Sequence, residues 1–404
     1  MRDINLLQLA LGLTPPWTVT RSDFDLEAKR LDIQIDFAPG SRFPCPHCGA
    51  ADCPVHDTER MSWRHLNFFQ HQAYLNARVP RVRCDKCGVR KVAVPWARPG
   101  AGFTLLFEAL VMTLVSAMPV NAVARLIGEH DTRLWRVIHH YVKQARAHTD
   151  LSTVQRVAVD ETASRRGHNY ITLFADIDQA RVAFVAEGKD AATGAAFAAE
   201  LAAHGGDPAA VTEVCIDMSP AFIKGTSKSL PNAAITFDKF HAVKIVNDAV
   251  DEVRRAEQKT QNVLRGTRYI WLRNPDNLSE RQQAMLEALP TQHLKTARAY
   301  QIRLAFQDLY NQPTAEAGAA FLKKWYFWAT HSRLQPVIDA ARTIKSHWNG
   351  ILRWFDSRIA NGLMEGINSL VQAAKAKARG YRSNRNLIAI VYLIAGKLDL
   401  ALPA

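Results

Sequence analysis

The chain lacks several features that would place it in a narrower class. No apolar run approaches the ~20 residues of a membrane-spanning helix; the longest, such as Ile388–Ala395, are far shorter. A short apolar stretch opens the chain. However, Asp3 stands beside Arg2, the only early cation, and the stretch runs into Thr14-Pro15-Pro16-Trp17 without a small-residue cleavage pattern. That argues against a secretory leader. Six cysteines in 404 residues are too few for a disulfide scaffold, so reduced thiols and a soluble, cytoplasmic protein are expected. Glycine (20) and proline (18) form no low-complexity tract. Acid is also short: 38 Asp plus Glu stand against 51 Lys plus Arg, a net charge of +13 and a pI near 9.6. An excess of that size favours a polyanionic partner. What remains is a globular chain, 48% hydrophobic, with room for roughly two to four domains.

The cysteines are unevenly spread. Cys45-Pro-His-Cys48-Gly and Cys84-Asp-Lys-Cys87-Gly are two C-x-x-C-G knuckles. Two intervening residues let one tight turn aim both sulfurs at a single ion, and the following Gly permits the left-handed turn that points backbone N–H groups at them. Two such knuckles complete an all-thiolate tetrahedral site for one structural Zn²⁺. Cys53, His47 and His56 are substitute ligands of lower rank, and Cys215, in an apolar run, reads as a buried thiol. Between the knuckles, Ala73–Val79 and Val82–Cys84 alternate as strands. Arg78, Arg81, Arg83, Lys86, Arg90, Lys91 and Arg98 surround the second knuckle, opposed locally only by Asp85, as a phosphate-binding face would be.

A helical pattern begins at Phe103. Leu105–Met118 is apolar and stops at Pro119. In the segment that follows, Ala124 permits close helix crossing, Gly128 makes a turn, and Leu134 and Val137 seat a second helix that Asp131 can cap. This is a helix-turn-helix pattern; Thr132, Arg133 and Arg136 would face outward to DNA. The competing reading is a structural helical hairpin between two domains.

Beyond residue 150 short strands take over. Val157–Val159 ends in Asp160; Tyr170–Ala175 and Val182–Ala186 follow, then a helical Ala191–Ala203. Val211–Ile216 ends in Asp217, and Ala233–Phe237 ends in Asp238. On neighbouring parallel strands, about 4.8 Å apart, Asp160 and Asp217 would converge at one sheet edge. Bare carboxylates so placed repel, and divalent cations relieve that.

Here the sequence resembles a known family. Val-Ala-Val-Asp160-Glu161, Ile-Asp217-Met-Ser-Pro, Phe-Asp238-Lys-Phe-His241 and Asn361-Gly-Leu-Met-Glu365-Gly-Ile-Asn368 look like the motifs of DDE transposases of bacterial insertion sequences. The closest likeness is to the group with an N-terminal zinc-binding domain, a helix-turn-helix and a ribonuclease-H-like core interrupted by an insertion. It covers nearly the whole chain in order. The resemblance implies that Asp160, Asp217 and Glu365 form a catalytic triad holding two Mg²⁺ (or Mn²⁺), which would activate water and then a DNA 3′-hydroxyl for in-line attack.

Helical periodicity sets Asn368, Gln372 and Arg379 on the face of Glu365, with Met364, Ile367, Leu370, Val371 and Ala374 opposite. Glu161 would point away from Asp160 within a strand, and Asp238 and His241 suit a supporting or capping role, so these three stay outside the triad. Downstream, Lys375, Lys377, Arg379, Arg382 and Arg385 run without an acid. They would grip phosphates near the scissile bond, or simply complement a helix dipole.

The expected architecture is multidomain α+β. It comprises a zinc-binding domain (1–100), a helix-turn-helix (101–150), a ribonuclease-H-like α/β core in two parts (151–245 and 350–404) and an all-helical insertion (246–349). The insertion carries Trp271, Trp325, Trp328 and Trp348; aromatic residues at helical spacing are expected in its core rather than stacked on DNA. The expected function is metal-dependent cleavage and strand transfer. The partners would be double-stranded DNA, both terminal inverted repeats and target, with a homodimer because two ends must be paired. Such a protein would be cytoplasmic, nucleoid-associated when on DNA. A DNA-binding regulator without catalysis and a ribonuclease-H-like nuclease or resolvase are the rival readings.

Overall fold

The computed structural model describes residues 3–165, 167–359 and 362–403. Asn361, in the motif around Glu365, lies outside the described residues. The chain divides into two compact units, Met1–Lys143 with Asp399–Ala404, and Gln144–Leu398.

The first unit opens with α1 (Asp3–Ala10), then β1 (Trp17–Asp25), β2 (Arg30–Phe37), β3 (Arg42–Phe43), β4 (Cys53–Phe68), β5 (His71–Cys84) and β6 (Gly88–Lys91). The sheet order is β1-β2-β5-β4-β3, with β6 on β5. Alternation in β2 (Leu31, Ile33, Ile35) and β5 (Ala73, Leu75, Ala77, Val79) buries one face. Trp96 stands edge-on to Trp17 and Trp63 over that core, at 5.0 and 5.6 Å. The two strands expected at 73–79 and 82–84 are one. Pro80 removes only its own donor, and its carbonyl accepts the Val92 N–H at 2.9 Å.

Three helices follow: α2 (Leu105–Ala117), α3 (Val120–Ile127) and α4 (Asp131–Ala147). The Thr104 hydroxyl caps α2 by accepting the Phe107 N–H, and Pro119 cannot continue it. Gly128 turns the chain between α3 and α4 at φ 71°, while Ala124, Leu134 and Val137 are buried. This is the expected helix-turn-helix.

In the second unit, β7 (Arg156–Arg165), β8 (Asn169–Asp176) and β9 (Arg181–Glu187) precede α5 (Ala192–Ala203), β10 (Glu213–Ile216), α6 (Pro220–Ser229) and β11 (Ala234–Phe237). The sheet order is β11-β10-β7-β8-β9. β7, β8 and β9 are antiparallel neighbours, whereas β10 runs parallel to both β7 and β11. Three antiparallel strands extended by two parallel ones form the ribonuclease-H-like sheet. β7 does not stop at Asp160. It continues to Arg165, because Thr162 and Ser164 keep one face buried and β8 still pairs with it.

Helices fill the rest: α7 (Lys239–Glu257), α8 (Arg268–Leu272), α9 (Glu280–Glu287), α10 (Lys295–Gln307), α11 (Ala315–Thr330), α12 (Gln335–Ser346), α13 (Trp348–Leu352), α14 (Trp354–Ser357), α15 (Gly362–Ala378) and α16 (Asn384–Ala395). α13 lies so close on β11 that a Cβ on Gly350 would stand 2.4 Å from the Phe237 ring. Trp271 and Trp325 are core residues with satisfied indoles, donating to Thr267 Oγ1 (3.0 Å) and to the Ile302 carbonyl (2.8 Å). Trp348 is half-buried beneath Lys345, and Trp328 is exposed. No helix among the described residues is long and apolar enough to cross a membrane.

Candidate functional site

The two knuckles meet. The sulfurs of Cys45, Cys48, Cys84 and Cys87 all lie within 4.8 Å of one another, and those of Cys48 and Cys84 are 3.6 Å apart. Zn–S bonds of ~2.3 Å in a tetrahedron require sulfurs about 3.8 Å apart, so the donor set fits zinc. Gly49 and Gly88 follow the knuckles at φ 72° each, the left-handed conformation that their positions called for. Backbone N–H groups of Cys48 and His47 pull the Cys45 thiol down to about 6, and those of Cys87 and Lys86 pull down Cys84. Cys87, which bonds Cys48, is pushed up to about 12. Cys53 instead points its sulfur at the Ala50 carbonyl (3.5 Å), His47 bonds Cys87 Sγ (3.6 Å) and His56 bonds Arg83 (3.1 Å). None of these three joins the cluster.

The basic cluster near the second knuckle is less free than its sequence suggests. Acids from distant strands and a helix reach it: Arg78 pairs with Asp36, Arg81 with Asp57, Lys91 with Glu59 and Arg98 with Glu108. Strand pairing supplies these partners, and local sequence could not. On α4, Thr132 and Arg136 are exposed. Arg133 turns inward: it pairs with Glu129, donates to the Gly102 carbonyl (3.1 Å) and stacks over Phe103 (4.1 Å).

The acidic site is built by strand register. In the parallel pairing of β10, Cys215 stands opposite Ala158 and Ile216 opposite Phe237. Continued by two residues and by one, the same register puts Asp217 level with Asp160 on one side and Asp238 on the other. Three carboxylates thus end one row across three neighbouring parallel strands, ~4.8 Å apart.

Each carboxylate is held. Asp160 accepts from the Glu161 N–H (2.8 Å) and from Asn368 Nδ2 (2.7 Å), and Asp217 accepts from the Ser219 N–H (2.9 Å). Asp238 is buried, caps α7 through the Phe240 N–H (3.1 Å) and pairs with His241 Nδ1 (3.0 Å). Burial, with Asp238 and Asp217 nearby, raises the pKa of Asp160. The hydrogen bond to Asp238, reinforced by Asp160 and Asp217, raises that of His241. Burial also raises the Cys215 thiol, which agrees with a structural thiol.

Helix α15 runs along β7. Beyond the Asn368 contact, Gln372 donates to Thr162 Oγ1 (2.7 Å) and Lys375 to the Ala163 carbonyl. Glu365, exposed, lies one turn before Asn368 on the same side. Met364, Ile367 and Val371 are buried on the opposite arc as their spacing requires, but Leu370 is 51% exposed. Of the basic residues downstream, Lys377, Arg379 and Arg382 are exposed, while Lys375 is half-buried against β7.

An all-oxygen set of Asp160, Asp217 and Glu365 suits a hard divalent cation such as Mg²⁺. Among the described residues only the four cysteines bring three or more His, Cys, Asp or Glu ligand atoms within 4.8 Å of one another, so the three carboxylates stand further apart than that. Two features escaped the sequence reading. One is the place of Asp238 in the carboxylate row, for which its strand-end position was the signal. The other is the hold of Asn368 on Asp160, hinted at only by the helix face that Asn368 shares with Glu365. Glu161 meets Lys189 instead (3.7 Å), away from the row.

Comparison with known proteins gives three matched segments. Residues 157–391 match the DDE domain family of ISL3 type, described as transposase. Residues 92–142 match the helix-turn-helix domain of transposase family ISL3, and residues 41–87 the zinc-finger of transposases IS204/IS1001/IS1096/IS1165. The chain is 27% identical to the transposase for insertion sequence element IS1557 of Mycobacterium tuberculosis, over 97% of this chain and 96% of that protein. It is also 27% identical to the transposase for insertion sequence element IS1001 of Bordetella parapertussis, over 84% and 85% respectively.

Proposed function

The chain belongs to the ISL3 family of transposases, and from that premise we propose that it binds the terminal inverted repeats of its own element and cuts and joins DNA with Asp160, Asp217 and Glu365. The observation that supports this reading is the register that sets Asp217 level with Asp160, with α15, the helix that carries Glu365, laid along β7 through Asn368 and Gln372. Residues 151–245 and 350–404 would be the core, 246–349 its helical insertion, 1–100 the zinc-binding domain and 101–150 the DNA-reading domain. Two copies acting together would pair the two ends.

In this reading Asp160, Asp217 and Glu365 hold two Mg²⁺ or Mn²⁺. When bound, these ions supply charge neutralisation and Lewis-acid activation of the attacking oxygen. The chain's own groups do the positioning. Asn368 and the Glu161 N–H clamp both oxygens of Asp160, fixing the plane of that carboxylate, while the Ser219 N–H fixes Asp217. His241, paired with Asp238 beside the acidic row, would offset repulsion among the carboxylates when protonated. Thr132, Arg133 and Arg136 would meet the repeat, with Arg133 acting mainly to brace its helix. Lys375, Lys377, Arg379 and Arg382 would lie along the phosphates past the cleavage point.

The test is a cleavage and joining assay on DNA carrying the repeat that flanks the gene, with Mg²⁺, comparing the native chain with Asp160→Asn. Metal-dependent nicking and a joined product, both lost in the variant while end binding persists, are expected. Cleavage without joining would point to a nuclease. Specific binding with no cleavage, unchanged by the substitution, would leave only a regulator.

A further inference from the structure

The tip of the β4–β5 hairpin carries a side chain that neither the folding of the sheet nor the acidic site accounts for. Phe68 pairs with His71, so Phe69 and Gln70 make a two-residue turn. Phe69 stands first in that turn, at φ 52°. Glycine is the ordinary occupant of such a position, because a bulky side chain there is strained against its own backbone. Burial does not offset the strain. Phe69 is 80% exposed, with Phe68, itself 43% exposed, edge-on to it at 4.8 Å. Backbone strain and bare apolar surface kept together at a hairpin tip mark a contact with something outside the chain.

The seat of the hairpin says what that is. It rests on the turn before α4, within the same compact unit. The buried Arg64 guanidinium stands 3.7 Å from Glu129, and His65 Nδ1 meets Thr104 Oγ1 at 2.9 Å. Gln72 packs so closely that a Cβ on Gly128 would stand 2.9 Å from its Nε2. Five residues of bulged strand set the tip about 15 Å from Arg64. Half a turn of duplex, ~17 Å, separates a major groove from the next minor groove. The chain has no Asp or Glu from Arg60 to Cys84, and the tip reads Asn67-Phe68-Phe69-Gln70, all exposed. Apolar wedges flanked by amide side chains are the chemistry of minor-groove contact. The neighbouring β1–β2 turn, with Asp25 and Glu27, does not offer it.

We propose that the hairpin tip is a minor-groove wedge: with α4 in the major groove, Phe69 enters the adjacent minor groove and presses between two base pairs. Asn67, whose Oδ1 accepts from Arg64, and Gln70 donate amide N–H bonds to the acceptors that line that groove. Partial unstacking bends the repeat, and Arg64 is the positioning residue that fixes the tip against α4. The inference rests on the reading of α4 as the helix that meets the repeat.

The test uses the full chain and repeat duplex without Mg²⁺. Affinity is read by anisotropy, bending by energy transfer between dyes at the duplex ends, and sugar protection by hydroxyl-radical footprinting. Phe69→Gly suits the left-handed position, so its melting temperature should hold or rise. Its binding should nevertheless weaken about tenfold, the bend should relax, and protection should vanish from one minor-groove segment half a turn from the α4 footprint. The salt slope should stay, since no charge is lost. Phe69→Leu, still apolar, should keep most of the bend, and Phe69→Asn, which also tolerates the turn, should repeat the loss if Phe69→Gly does not fold. Affinity, bend and footprint unchanged in Phe69→Gly overturn the wedge and leave the transposase reading standing. A Phe69→Gly defect confined to self-association, read by sedimentation, overturns it too and makes the tip a contact between copies. Failure of the native chain to prefer repeat DNA over unrelated duplex overturns both readings.

Discussion

Cys84→Ser tests whether the knuckle cluster is a metal centre that holds the N-terminal sheet together. The sulfurs of Cys48 and Cys84 stand 3.6 Å apart, close to the ~3.8 Å of a tetrahedral zinc site, so binding needs no rearrangement of the strands. Structural zinc binds with an apparent ~10–16 kcal/mol at neutral pH. Divided evenly over four thiolates, one ligand represents about 2.5–4 kcal/mol, a large share of the ~5–15 kcal/mol that stabilises a whole domain. Cys84 is also buried where β5 turns into β6, so losing the metal there should loosen that edge as well. Zinc per chain, measured by chelator release with a dye, should fall from one toward zero in Cys84→Ser, and the first thermal transition should drop with it. Cys53→Ser is the control: Cys53 is buried near the cluster but bonds the Ala50 carbonyl, so zinc content should stay at one. Full zinc retention in Cys84→Ser, or loss in Cys53→Ser, would refute the ligand assignment; a native chain whose melting ignores chelator would refute the structural role.

Further expectations concern the fold and the DNA interface. Glu108 is fully buried, and its carboxylate is held by Arg98 (2.8 Å) and Tyr141 (3.2 Å). Arg98→Ala should therefore destabilise the helix-turn-helix by about 3–5 kcal/mol, toward the lower end because Tyr141 remains, and Glu108→Gln in the same background should recover part of it in urea titrations. The fold favours the charged form of His241, so its contribution is fully present below the ordinary value of 6.5 and is lost as pH rises through the raised value. His241→Gln should flatten that decline, as read by denaturant midpoints across pH; an unchanged pH profile would count against the Asp238 pairing. Arg136→Ala should weaken binding to repeat and unrelated duplex and reduce the log–log salt slope by about one. Arg133→Ala, already braced within the protein, should change the slope less and the melting temperature more. Asn368→Ala should lower the cleavage rate about 10- to 100-fold, the value of a charge-assisted hydrogen bond of ~1.5–3 kcal/mol, without abolishing end binding.

Local pattern alone determined a good deal of this protein. Paired C-x-x-C-G knuckles, Pro119 and Gly128 around a short helix, and two carboxylates at the ends of apolar strands are signals written within a few residues, because turn geometry, capping and strand period are local. Tertiary structure decided what depends on strands meeting. The acids that neutralise Arg78, Arg81 and Lys91 come from other strands of the sheet, so a cluster that reads as free cation in sequence is largely paired. Asp238 joins the row of Asp160 and Asp217 only through the β10–β11 register, and Asn368 finds Asp160 only because α15 lies along β7. Inward and outward turns of single side chains, such as Arg133 against Phe103, follow from packing that no period encodes. The chemistry-bearing residues were therefore legible one by one, while their convergence was not, because register and helix placement are set by burial over the whole sheet.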